Sequence, residues 1–312
     1  MALGLVTLLN IATFAPPWMV TLPGLRFFQA LEMTQASTAL SMILPAGTAA
    51  GIGAQYGMLR KWGYEGRPVA RAITLVSLFN QFCNLLYPVV GVFLLVAFGE
   101  QAALLATAAF IGVAVLGISI AAFVVALVSD SLAFEVGELA ARVANWALKK
   151  FRRGPVRWGG KAFEDFRLSA GDLLKRRWHA LIAASLAGSL TTFFVLLVSL
   201  RALGVTQDQV SVEEVFAAWA LIRLVGSVPI TPGDVGIIEL GLTTTLIAFG
   251  GANAPVVAAV LVYRFLTMAP TLVLGLIAAA TWRRHRPPPA EAVEVHPVRT
   301  MQAPPGEPRV DA

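Results

Sequence analysis

Residues 221–241 read Leu-Ile-Arg-Leu-Val-Gly-Ser-Val-Pro-Ile-Thr-Pro-Gly-Asp-Val-Gly-Ile-Ile-Glu-Leu-Gly. This stretch decides the fold. Arg223, Asp234 and Glu239 stand in an otherwise apolar run, around Pro229, Pro232, Gly233 and Gly236. After Glu239 one further ionised residue, Arg264, precedes Arg283. A charge at the bilayer centre costs about 2.5–3.5 kcal/mol even on lenient insertion scales. Irregular backbone at that depth survives only where it is buried in protein or lines a water-filled cavity. Charges beside a broken backbone therefore predict a re-entrant segment at a binding or translocation site.

The sequence outside this stretch is of membrane grade. The chain has 312 residues, 57% hydrophobic and 13% charged, against roughly 25% charged in soluble domains. Residues 72–98 and 102–128 each run 27 positions without a charge, more than the roughly 20 needed to span a bilayer. Cys83 is the single cysteine, which excludes an internal disulfide and a thiolate metal site. It reads as a small apolar helix residue. Residues 1–20 have no basic n-region of the kind a secretory signal carries, so 3–20 reads as a membrane helix bent at Pro16-Pro17. Its abrupt apolar start leaves room for an upstream helix.

The expectation is an all-α polytopic membrane protein with about five full crossings, at residues 3–20, 69–98, 102–128, 179–203 and 254–281. Two further apolar segments are too broken for a simple crossing and read as re-entrant helical hairpins, 27–68 and 215–255. Leu44-Pro45-Ala46-Gly47 marks the tip of the first, and Pro229 and Pro232-Gly233 that of the second. Pro45, Gly63 and Pro68 recur as Pro232, Gly250 and Pro255, all 187 positions on. Three crossings separate the hairpins, so the second copy is inverted, as in many transporters. Hydropathy counts the whole as six to eight helices. The transmembrane domain covers 1–281, and 282–312 reads as a disordered Pro-rich tail.

Residues 129–178 hold eleven Lys/Arg against six acids, and 283–286 read Arg-Arg-His-Arg. Arg60, Lys61, Arg67 and Arg71 flank the first hairpin. The positive-inside rule puts all three regions in the cytoplasm, with residues 204–214 outside. The pI near 9.9 thus reflects membrane orientation and implies no nucleic-acid partner. Within the basic loop, Leu132, Val136, Leu139, Val143 and Trp146 recur at helical spacing, as in an interfacial helix.

No His-Glu-x-x-His, Gly-x-Ser-x-Gly or P-loop occurs, and none of His179, His285 and His296 sits mid-membrane. No metal, cofactor or covalent catalysis by this chain is implied. The candidate site is instead ionic. Arg223 and Arg264 lie at similar depth if both segments start at the outer surface, about 14 and 15 Å in at 1.5 Å per residue. Their planar forks suit a phosphate or a pair of acids. Asp234 has a plainer reading as the cap of the half-helix that follows it. Glu239, deeper, needs a partner, a proton or water, and pairing with an arginine is the favoured reading. Thr231, Pro232, Gly233, Gly236 and Tyr263 complete the candidate translocation site, with Pro45 and Gly47 at the first tip. At the repeat offset, Arg223, Glu239 and Arg264 face Ala36, Ile52 and Ser77. Electrostatic recognition is therefore expected mainly from the second half.

The segment Val228-Pro229-Ile230-Thr231-Pro232-Gly233-Asp234-Val235-Gly236-Ile237-Ile238-Glu239, then Phe249-Gly250 and Tyr263-Arg264-Phe265-Leu266-Thr267, resembles the lysylphosphatidylglycerol synthetase/flippase transmembrane family. Leu44-Pro45-Ala46-Gly47 with Met58-Leu59-Arg60 resembles that family's earlier Leu-Pro-Gly region. Many members carry Gly where this chain has Asp234. The resemblance implies a multi-pass protein of the bacterial inner membrane that moves lipids across the bilayer. Members that make lysyl-lipid carry a soluble acyltransferase-like domain, whereas here a Pro-rich tail follows residue 281. The expected function is therefore that of a stand-alone, non-enzymatic flippase for an anionic phospholipid or a polyprenyl-linked lipid. Two alternatives remain open: an accessory subunit for a lipid-modifying enzyme or glycosyltransferase, docking through residues 140–178, and an enzyme on a lipid-linked substrate.

Overall fold

The computed structural model describes residues 1–44, 47–97, 160–226 and 231–282, with positions 113, 114, 116–121, 125, 135, 142 and 145 between them. Among these residues every regular element is helical. The main helices are α1 (Ala2–Thr13), α2 (Pro16–Thr21), α3 (Phe27–Ile43), α4 (Gly47–Lys61), α5 (Gly66–Ala97), α6 (Gly160–Ala202), α7 (Val212–Gly226), α8 (Ile237–Ala248) and α9 (Asn253–Thr281). Among the described residues four stretches are long and apolar enough to cross a bilayer: Ala2–Thr21, Gly66–Ala97, Leu173–Ala202 and Asn253–Thr281. They match four of the five expected crossings. The fifth, at 102–128, lies largely outside the described residues, as do the expected interfacial helix at 132–146 and the tail.

Two boundaries differ from the sequence reading. The first crossing bends at Phe14-Ala15, ahead of the prolines, and Pro16 opens α2. At a helix N1 position the missing proline N–H is one that would go unpaired anyway. The third of the four crossings, Leu173–Ala202, begins close to the expected residue 179, but the helix that carries it, α6, runs unbroken from Gly160. Lys175-Arg176-Arg177 end the hydropathy signal there, but charge does not end a helix.

The two hairpins form where expected. In the first, α3 ends at Ile43 and α4 begins at Gly47, with Pro45 outside the described residues. A Cβ on Gly47 or Gly51 would collide with α3, at the Ser41 carbonyl and the Ser41 side chain respectively. These glycines let the arms of the hairpin close. In the second, a Cβ on Gly241 would come within 2.7 Å of the Ile222 side chain, so α8 packs closely on α7 there. Both hairpins end alike. Tyr64 N–H bonds the Leu59 carbonyl and Gly63 N–H that of Arg60. Gly251 repeats this with Leu246, and Gly250 with Ile247. These are paired Schellman turns with glycine in the left-handed region, φ 95° at Gly63 and 115° at Gly250.

The hairpins enter from opposite ends of the molecule. Trp62 Nε1 donates to the Trp282 carbonyl (2.8 Å), and Thr281 Oγ1 donates to Glu32 Oε1 (2.5 Å). The open end of the first hairpin thus lies at the C-terminal end of α9. Arg201, in the last turn of α6, donates to the carbonyls of Val205 and Val210, just before α7. A Cβ on Gly250 would meet the Gln209 carbonyl at 2.9 Å, so α8 ends there too. The second hairpin therefore opens at the end where α9 begins. Its tip reaches the first: Gly233 lies against Met42, near the end of α3, and against Met268, midway along α9. A seam of small residues joins α3 and α9, where a Cβ on Gly275 would collide with Ala39. Tyr87, Phe193, Phe216 and Trp219 fill the core between α5, α6 and α7.

Candidate functional site

The cationic side of the site is built on α7 and α9. Ser211 and Glu214 close a reciprocal capping box at the start of α7, with bonds of 2.7 and 3.2 Å. About three turns further in, Arg223 Nε donates to Asn84 Oδ1 (2.8 Å) on α5. Its Nη2 donates to Ser189 Oγ on α6 at 3.4 Å, and its guanidinium lies 5.4 Å from the Trp219 ring centre. Among the described residues it has no carboxylate at ion-pair distance. Its partners are neutral, and its charge is uncompensated by any direct contact.

Arg264 differs in kind. It is buried, with 9% of its surface exposed. Its Nε donates to Glu239 Oε1 at 2.6 Å, and its Nη2 donates to the Gly233 carbonyl at 2.7 Å. Glu239 Oε2 in turn accepts the Gly236 N–H at 2.7 Å. Both carboxylate oxygens are used, one to hold α9 and one to close the first turn of α8. The arginine bonds a carbonyl that the broken backbone would otherwise leave unpaired.

Pro232–Asp234 forms a single 3₁₀ turn between the two half-helices. Asp234 does not cap α8. That helix starts at Ile237 with Gly236 as its N-cap residue, and Glu239 supplies the capping carboxylate. A cap must directly precede the helix, and Asp234 stands too far upstream. It has φ 56°, a left-handed conformation that Asp tolerates but Gly adopts freely. Thr231 Oγ1 donates to the Val235 carbonyl (3.1 Å) and so braces the turn.

These residues surround two cavities. One, of about 260 Å³, is lined by Asn84, Trp219, Arg223, Asp234 and Tyr263, with apolar groups from α7 and α8. The other, of about 190 Å³, reaches Arg223, Tyr263 and Arg264 from the side of α1 and α3, where Asn10, Gln35 and Thr192 add polar groups. Gln35 is buried, and its Oε1 has no hydrogen-bond partner among the described residues. The fold thus brings Arg223, Asp234, Glu239, Tyr263 and Arg264 together, with Gly233 and Gly236 as backbone partners. Gly47 lines neither cavity and serves the closure of its own hairpin.

Asn84, Ser189 and Gln35 were missed as site residues. Asn84 left one signal: it is an amide in a charge-free run, three positions before Tyr87 and so on the same helix face. Polar groups around the two cavities therefore come from both halves of the chain, though all the charges come from the second.

The family described as Lysylphosphatidylglycerol synthase TM region matches residues 1–275. No curated protein and no solved structure matches the chain.

Proposed function

The chain belongs to the lysylphosphatidylglycerol synthase TM-region family, and from that premise we propose that it translocates a phosphate-bearing amphipathic lipid across the bilayer. Membership ties it to membrane lipids, and its crossings make it a multi-pass integral membrane protein. In this reading the headgroup enters the cavities between the two hairpins while the acyl chains stay in the bilayer. The observation that carries it is Arg223, a guanidinium facing both cavities with neutral partners only. A half-buried cation without a counterion favours an anionic ligand, and the lipid phosphate supplies it. Arg264 positions the second tip through Glu239 and Gly233 and leaves the phosphate to Arg223. The membrane is the bacterial inner membrane, with residues 129–178 and the C-terminus in the cytoplasm. No chemical step on the lipid is assigned to this chain.

The test is purified protein in liposomes carrying a phospholipid with a fluorescent acyl chain, quenched from outside by dithionite. Unaided loss of the protected half of the signal is expected, and Arg223→Ala should abolish it in folded protein. An inert wild-type protein, or one active only with an added lipid-modifying enzyme, would overturn the reading in favour of an accessory role.

A further inference from the structure

We propose that the larger cavity selects a headgroup carrying both a phosphate and an ammonium, with Arg223 taking the first and Asp234 the second. This rests on reading that cavity as the lipid headgroup site.

Charge accounting carries the inference. The four ionised groups of the site are two arginines and two acids. Arg264 and Glu239 bond each other and need nothing further. Arg223 and Asp234 remain, of opposite sign, lining one cavity without forming an ion pair. Asp234 feels Arg264 and Glu239 electrostatically, but among the described residues its carboxylate makes no ion pair. The cavity therefore offers one positive and one negative group at separate points, with zero net charge.

A purely anionic headgroup satisfies Arg223 but meets the Asp234 carboxylate. A purely cationic one does the reverse. A phosphate–ammonium zwitterion answers both, and leaves no charge uncompensated in a space walled by Ile222, Ile238 and Leu242. The ethanolamine phospholipids have this chemistry, with N–H donors that a carboxylate can accept. This departs from the anionic phospholipid or polyprenyl-linked lipid expected from the sequence, where Arg223 and Arg264 were both candidates for the phosphate; with Arg264 paired to Glu239, Arg223 remains.

The conformation of Asp234 supports a role for its side chain. At φ 56° glycine is the residue the backbone prefers. The carboxylate does not cap α8, so neither backbone nor helix accounts for it.

The experiment compares acyl-labelled phosphatidylethanolamine and phosphatidylglycerol in the liposome assay. Wild type should move the ethanolamine lipid faster. Asp234→Asn, which keeps the shape and tolerates the left-handed conformation, should lower the ratio of the two rates about tenfold, the worth of one charge-assisted hydrogen bond. Asp234→Gly, free of backbone strain, should do the same. Arg223→Ala should slow both lipids. A wild type without preference, or an unchanged ratio in both Asp234 variants with translocation intact, would overturn the selectivity while leaving translocation standing. A wild type that moves neither lipid would overturn the translocation reading itself.

Discussion

Glu239→Gln separates a structural ion pair from a proton carrier, and the structure sets the size of the effect. Glu239 accepts two bonds, one from Arg264 Nε (2.6 Å) and one from the Gly236 N–H (2.7 Å). Glutamine has one acceptor oxygen. Whichever bond it keeps, its NH₂ faces a donor at the other. The cost is a buried donor left unpaired, about 1–3 kcal/mol, plus the lost charge beside a buried guanidinium. Removing one partner of a buried pair costs about 3–5 kcal/mol in soluble proteins. The Glu239 side chain is 21% exposed and that of Arg264 11%, so the lower end, about 3 kcal/mol, is expected. At the roughly 2–4 °C per kcal/mol seen in domains somewhat smaller than this chain, the melting midpoint should fall by about 6–12 °C. Cys83, the single cysteine and buried, supplies the assay: a thiol-reactive dye lights up as the detergent-solubilised protein unfolds. An unchanged midpoint, with translocation lost only under a pH gradient, would refute the pair and make Glu239 a proton carrier.

The two arginines should differ in the same assays. Arg264→Ala should lower the midpoint because it strips Glu239 and Gly233 of their donor, whereas Arg223→Ala should melt near wild type and lose translocation. Equal melting of the two would show that their environments are alike. Arg264→Lys should recover only part of the stability, since one ammonium cannot bond the Glu239 carboxylate and the Gly233 carbonyl in the fork geometry seen. Gly275→Val forces a side chain onto Ala39 and the Gln35 carbonyl and should destabilise the protein by at least about 1–3 kcal/mol; normal yield and melting would show that α3 and α9 can part freely. In a Cys83→Ser background, a cysteine at position 150 should react with an impermeant thiol reagent only from inside, and one at Gln207 only from outside; the reverse would overturn the orientation.

The hairpins were legible because proline and glycine in an apolar run have few other readings. The α3–α4 break falls between Ile43 and Gly47, and Pro232-Gly233 falls between half-helices, and the 187-residue offset brings Lys61 and Ala248, then Gly66 and Asn253, to matching helix ends. The pairing of Glu239 with an arginine followed from the cost of a deep carboxylate, but which arginine did not. Spacing gives depth along a helix and says nothing about rotation between helices. That is why Arg223 and Arg264 looked equivalent in sequence and differ in structure. The same limit hid Asn84 and Gln35, whose roles depend on packing between α3, α5, α7 and α9. The length of α6 was missed because hydropathy reports the membrane and α6 continues past it.

The two hairpins solve one physical problem by different means, and this places the ion pair in the second half. A re-entrant tip must close its arms and satisfy the backbone groups freed at the break. The first hairpin closes by contact, its Gly47 and Gly51 packed on Ser41 and Ser37 of α3. The second is anchored by charge. Arg264 reaches from α9 to both the Gly233 carbonyl and Glu239, and Glu239 closes the helix start at Gly236. At the repeat offset the first half has Ile52 on α4 and Ser77 on α5 in the places of Glu239 and Arg264, so no equivalent anchor can form there. The ion pair thus fixes the turn that carries Asp234. With that turn held, Asp234 and Arg223 face one cavity from two different elements, and their separation is set by the fold rather than by their attraction. Loss of Arg264 or Glu239 should therefore blur lipid selectivity as well as lower stability.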